Sequence, residues 1–185
     1  MKSMLKSIVV TALCTSVICP SAFARHADLI VPGKQLGKLH LQSYAKLPLP
    51  DPDYSDAGMN HEIMVWKSHK DGNTLVLEST SNAVVDNGGP GYTVHYIRVT
   101  SPMFHDRHGL HTGSTFAEIK RSYSHLTAWD NKPTVFADNG RGIAFEFKIN
   151  HPGLKSKCIA IAVYRPGGVW QEVNASDISE MEKSK

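Results

Sequence analysis

The chain has 185 residues, with 20 Lys and Arg against 17 Asp and Glu, ten His and three Cys. Its formal net charge of +3 gives no general reason to expect nucleic acid or an anionic membrane as partner. The length suits one domain, or two small repeated halves, with enough chain to bury a core without disulfide staples.

Lys2 and Lys6 precede an apolar run from Ile8 to Cys19, followed by Pro20 and by Ala22-Phe23-Ala24. A charged start, an apolar core shorter than the ~20 residues of a membrane span and an A-x-A ending together predict a signal peptide over residues 1–24. The mature protein is then expected to begin at Arg25 and to reside in the periplasm or outside the cell. Ile18 before Cys19 and Leu13 before Cys14 are too large for a lipid-attachment site, and no later segment is apolar enough to span. Neither a lipid anchor nor a membrane span is therefore expected. Loss of Lys2 and Lys6 leaves 18 basic residues against 17 acidic ones, a net charge of +1. Cys14 and Cys19 leave with the leader, so Cys158 is alone. It opens the apolar run CIAIAVY, which predicts a buried, inert thiol.

Next along the chain, Pro48, Pro50 and Pro52 forbid a long helix. Leu41 to Leu47 is left with at most a turn or two before the acidic loop LPDPDYSDAG. Strands are predicted at 62–66, 73–80 and 92–101 from their branched and aromatic residues, with turn chemistry at Lys70 to Asn73 and Asn87 to Gly91. Spacings this short favour antiparallel hairpins.

The segment FHDRHGLHTGSTFAEIKRSY, Phe104 to Tyr123, joins a histidine cluster to a helix start. Thr115 and Glu118 have capping-box spacing, and Phe116, Ile119, Tyr123 and Leu126 fall on one helical stripe. Strands follow at 134–137, 142–149 and 158–165, separated by Asp138-Asn139-Gly140 and His151-Pro152-Gly153. In GIAFEFKI, Ile143, Phe145, Phe147 and Ile149 alternate with Ala144, Glu146 and Lys148, which predicts a sheet with one dry and one wetter face.

The pattern GLHTGSTFAEIKRSY resembles the repeat of small secreted bacterial proteins with the β-lactamase-inhibitor-like (BLIP-like) fold, shared by the small lipoprotein of the outer-membrane β-barrel assembly machinery. LIVPGKQLGKLHLQSYAKL, with DYSDAGM after it, is similar to the opening of a first such repeat. The resemblance implies an α+β fold of two related halves, each a short helical segment packed on antiparallel strands. The first half would run over 25–100 and the second over 101–174, with 175–185 a flexible tail. It also implies action by binding another protein, here one of the envelope or the secreted fraction.

Candidate chemistry is sparse. His105, His108 and His111, with Asp106, offer zinc or copper ligands within seven residues. Their steps of three around Gly109 fit a loop better than a built metal site. There is no G-x-S-x-G elbow and no G-K-[ST] phosphate loop, and Ser114 is explained by its place just before a helix cap. No catalytic residue and no cofactor are assigned, the alternative being a metal-binding protein or metal-dependent enzyme on the histidine cluster. Trp129, in a loop beside Asp130 to Pro133, together with Tyr54 and Tyr92, provides the aromatic candidates for contacts with a protein partner. The leading expectation is an exported, non-catalytic binding or envelope-accessory protein.

Overall fold

The structure is a computed structural model and describes residues 28–58, 61–82, 91–131, 134–148 and 152–167. The expected signal peptide (1–24), the expected tail (175–185) and residues 168–174 lie outside the described residues.

Two four-stranded antiparallel meanders dominate the molecule. The first comprises β5 (Tyr54–Gly58), β6 (His61–Lys67), β7 (Thr74–Asn82) and β8 (Gly91–Val99), after four short strands, β1 (Leu29–Val31), β2 (Gln35–Leu36), β3 (Leu39–His40) and β4 (Ser43–Tyr44). Next come β9 (His105–Asp106) and the helix α1 (Phe116–Ser122). The second meander is β10 (Thr127–Asn131), β11 (Thr134–Asp138), β12 (Ile143–Phe147) and β13 (Ala160–Tyr164).

The meanders join through their last strands, β13 pairing antiparallel with β8 at Ile161↔Val99 and Val163↔Ile97. With β4 paired to one end of β8, this makes a nine-stranded sheet. A smaller sheet, in the order β3-β2-β1-β9, includes one parallel pair, β1 with β9.

One face of the large sheet carries Leu77, Ile97, Val99, Ile143, Phe145, Phe147, Ile161 and Val163, packed with Ile30 and Leu36 of the small sheet and Ile119 of α1. The helix begins where its sequence requires. Thr115 Oγ1 accepts from Glu118 N–H, and Glu118 Oε2 accepts from Thr115 N–H at 2.7 Å. The Thr115 backbone N–H and then its hydroxyl, which donates to Glu118 Oε2 at 2.8 Å, hold the Glu118 carboxyl below its ordinary value. Phe116 then meets Phe147 edge to face.

The fold is thus mostly β, and the expectation of a helical segment in each half is overturned. α1 is the one helix among the described residues. In the first half, the chain after Leu41 runs as β4, and Ser43 Oγ meets Thr93 Oγ1 at 2.8 Å. The physical reason lies in the proline run, which denies backbone donors and helical dihedrals to this segment. Leu41, Leu47 and Leu49 nevertheless pack on the same core as α1, and Trp66 Nε1–H donates to Pro50 O at 2.9 Å. Extended chain covers the sheet there.

The predicted wetter face is also closed at its centre. Ala144, Ala162, Tyr96, Phe136 and Tyr164 form a second buried cluster. Glu146, expected to meet water, is 1% exposed because Arg98 reaches it, Nη2 to Oε2 at 2.6 Å and Nε to Oε2 at 2.7 Å. Arg98 faces Ala162 and Glu146 faces Ala160 across the intervening β13. The two alanines leave room for the pair to meet over that strand.

Cys158 is buried, as expected of a thiol that opens an apolar run, and its Sγ–H donates to Ala160 O at 2.9 Å. Burial pushes the thiol up to about 12, which removes the thiolate needed for nucleophilic chemistry.

Candidate functional site

A cleft of ≈ 580 Å³ opens where the small sheet, α1 and the second meander meet. One wall is β1 continued into Pro32. The lining continues with Arg107 and His108 from the turn after β9, and with Asn139 and Arg141 from the turn between β11 and β12. Ser122 and Tyr123, at the end of α1, and the following Ser124 and His125 close the remaining side.

Two backbone features bring these distant segments together. Parallel pairing of β1 with β9 sets Leu29 against His105 and Ile30 against Asp106, which places the Arg107 turn beside β1. Gly33 N–H donates to Gly142 O at 2.9 Å, which ties the Pro32 turn to the Arg141 turn. Gly142 has φ +93°, and a Cβ there would lie 2.3 Å from Gly33 Cα. Only glycine permits this approach.

A buried carboxylate outside the lining fixes the turn that carries Arg107 and His108. Asp106, 1% exposed, turns inward, and its Oδ1 accepts from His108 N–H at 2.8 Å and Leu110 N–H at 2.9 Å. Its Oδ2 accepts from Tyr123 O–H at 2.7 Å. Burial and this bond hold the Tyr123 phenol well above its usual range, so it remains a donor. Asp106 therefore shapes the turn and ties it to the end of α1.

The remaining charge in the walls is basic. Both Arg107 and Arg141 are exposed, and among the described residues no carboxylate belongs to the lining. Arg107 Nε–H donates to His108 Nε2 at 3.1 Å. Asn139 Oδ1 accepts from Arg141 N–H at 2.8 Å and Ile143 N–H at 3.3 Å, which leaves its amide NH₂ as the free end.

The sequence-selected histidines separate into different tasks. His105 sits on β9, bridged through the backbone to His111. His111 Nδ1–H donates to Thr112 O at 2.8 Å, while its backbone N–H donates to the buried Ser114 Oγ at 3.1 Å. His108 stands over Tyr123, ring centroids 5.5 Å apart. Among the described residues, no group of three or more His, Cys, Asp or Glu side chains converges as metal ligands. The oxygens of Asp106 are already engaged by hydrogen-bond donors.

The aromatic candidates do not share one surface. Tyr54 packs on the cluster around Tyr96 and Tyr164, whereas Tyr92 packs on the opposite core with Val94 and Ile97. Trp129 falls on β10, opposite Phe136 of β11, rather than in a loop. Its side chain lies outside the described residues. Sequence reasoning missed Arg107, His125, Asn139 and Arg141. The only local signal was an arginine inside each of two glycine turns, HDRHG and DNGRG.

A second group of titratable side chains lies around a β-bulge. The register slips between Glu78↔Tyr96 and Ser79↔Val94, leaving His95 as the extra residue. Its Nε2 meets Thr80 Oγ1 at 2.5 Å, and His61 Nε2 meets Glu78 Oε1 at 2.5 Å. Burial, then the charges of Arg165 and His61, hold His95 below its ordinary value. The folded protein therefore resists a proton that the unfolded chain accepts, so the contribution of His95 is present above about pH 6.5 and is lost as pH falls. Urea midpoints measured at pH 7.5 and 5.5 are expected to fall less for His95→Gln than for the unaltered protein.

No protein-family model matches the chain, and no curated protein matches it. Among solved structures, the crystal structure of the uncharacterized protein yfeY from Escherichia coli is similar over 56% of this chain and 81% of that one. Identity is 16% and the TM-score 0.33, too slight a likeness to carry fold or function. No helix among the described residues is long and apolar enough to cross a membrane.

Proposed function

We propose that this is an exported, non-catalytic binding protein of the periplasm or extracellular space, and that it captures an anionic ligand in the cleft. The observation that carries the reading is that two arginines, Arg107 and Arg141, line one cleft to which, among the described residues, no carboxylate contributes. Arginine presents a planar fork of donors suited to carboxylate and phosphate oxygens. His125 and the Asn139 amide belong to the same lining and add further donors.

The binding reading rests on the cleft rather than on the tyrosines, which face different cores. Nor does it draw on histidine ligation, since the Asp106 oxygens already accept hydrogen bonds and His108 Nε2 accepts from Arg107. Whether the acid is free or presented by an envelope protein, the recognising chemistry is the same.

The test is to purify the protein from the envelope fraction of its expression host, release bound small molecules by denaturation, and identify them by mass spectrometry. An acid retained by the unaltered protein and missing from the folded Arg107→Gln/Arg141→Gln variant supports the proposal. The same bound species in both, or an acid in neither, counts against it.

A further inference from the structure

The cleft has two unlike walls, and each restricts the ligand differently. Leu29, Val31 and Pro32 form a continuous aliphatic shelf, each side chain half-buried. β1 is hydrogen-bonded on both edges, to β2 and to β9, so the shelf has no free backbone edge for an added strand. It offers side-chain contact only. Beside it, Arg107 and Arg141 supply charge on turns fixed by the Asp106 carboxylate and the Gly33–Gly142 hydrogen bond.

A small inorganic anion would satisfy the guanidinium groups and leave the shelf in water. A neutral apolar molecule would cover the shelf while stripping water from two arginines, without offering them an acceptor. A ligand that meets both walls must carry both chemistries. Resting on the reading of the cleft as an anion site, we infer that its ligand is an amphipathic organic acid. The head, a carboxylate, sulfonate or phosphate ester, lies between Arg107, Arg141 and the Asn139 amide, and the apolar body lies along Leu29, Val31 and Pro32. The volume of ≈ 580 Å³ lies within the range of about 300–1,000 Å³ for sites that enclose small organic ligands.

Calorimetric titration of the purified protein with decanoate, kept below its micelle concentration, tests this against acetate, inorganic phosphate and methyl decanoate. Decanoate is expected to saturate at one molecule per chain. Acetate and phosphate are expected to bind at least roughly a hundredfold more weakly, since burial of four methylenes alone supplies such a factor. Methylation of the head, or Arg141→Gln, is expected to weaken decanoate by roughly tenfold or more, the loss of a charge-assisted hydrogen bond. Val31→Ser is expected to weaken decanoate while leaving acetate and phosphate unchanged.

If phosphate or acetate binds as tightly as decanoate and Arg141→Gln abolishes both, the amphipathic inference is overturned and the anion site stands. Decanoate binding that survives both methylation and Arg141→Gln overturns the anion site as well. Absence of binding by all four probes overturns both.

Discussion

Gly142→Ala is expected to lower unfolding stability by about 4 kcal/mol or more, enough to leave a marginal domain largely unfolded. Two costs combine. The backbone at Gly142 has φ +93°, a conformation that a residue with a Cβ adopts only under strain. The added methyl would also lie 2.3 Å from Gly33 Cα, 2.4 Å from Gly33 N and 2.5 Å from Tyr164 O. All three are backbone atoms of paired segments, so no side chain can swing aside to make room. Gly140→Ala provides the internal comparison, because Gly140 has φ +66° but a methyl added there would meet nothing within 4 Å. It should lose only the left-handed backbone term, about 1–2 kcal/mol. Urea unfolding of the two variants should therefore give a much lower midpoint for Gly142→Ala. Equal midpoints would mean that the Gly33–Gly142 approach is not maintained in solution. Because the same approach holds the Arg141 turn against Pro32, any folded Gly142→Ala protein should also lose affinity in the cleft.

Much of the sheet is legible in the sequence because its central strands carry their own signals. The runs predicted at 73–80, 92–101 and 134–137 appear as Thr74–Asn82, Gly91–Val99 and Thr134–Asp138. The alternation of Ile143, Phe145 and Phe147 correctly marks one buried face. The capping box at Thr115 is local chemistry, and it forms where the spacing of Thr115 and Glu118 places it. Short strands have no such signal. β2, β3, β4 and β9 are two residues each, stabilised by partners elsewhere in the chain rather than by their own periodicity.

The misreadings have the same origin. The repeat resemblance implies a helical segment after Leu41, yet Ser43 and Tyr44 pair with Thr93 and Tyr92. The candidate cleft depends on contacts between the Pro32, Arg107 and Arg141 turns, which no spacing within either turn reveals. Local patterning specifies an element when the element satisfies itself; it says little about a turn whose position is set by a parallel pair and a glycine contact.

Glu146 shows how far that limit reaches into the core, and it yields the second large effect. Its carboxylate is 1% exposed and accepts two hydrogen bonds from Arg98, itself 7% exposed. Removing one charge strands the other in a site that water does not reach, so Glu146→Leu or Arg98→Met alone is expected to cost about 3–5 kcal/mol. The double variant Arg98→Met/Glu146→Leu should recover most of that loss, because desolvation of a buried pair offsets much of its mutual attraction and two apolar side chains of similar size remove the penalty. Over Ala160 and Ala162 there is room for such side chains to meet, just as the charged pair does. A double-mutant cycle by urea unfolding measures the coupling directly. If the two single losses add in the double variant, Arg98 and Glu146 act independently and the pairing across β13 is not what holds Glu146 inside. If stability returns, the two charges are coupled across β13 and each is held inside by the other.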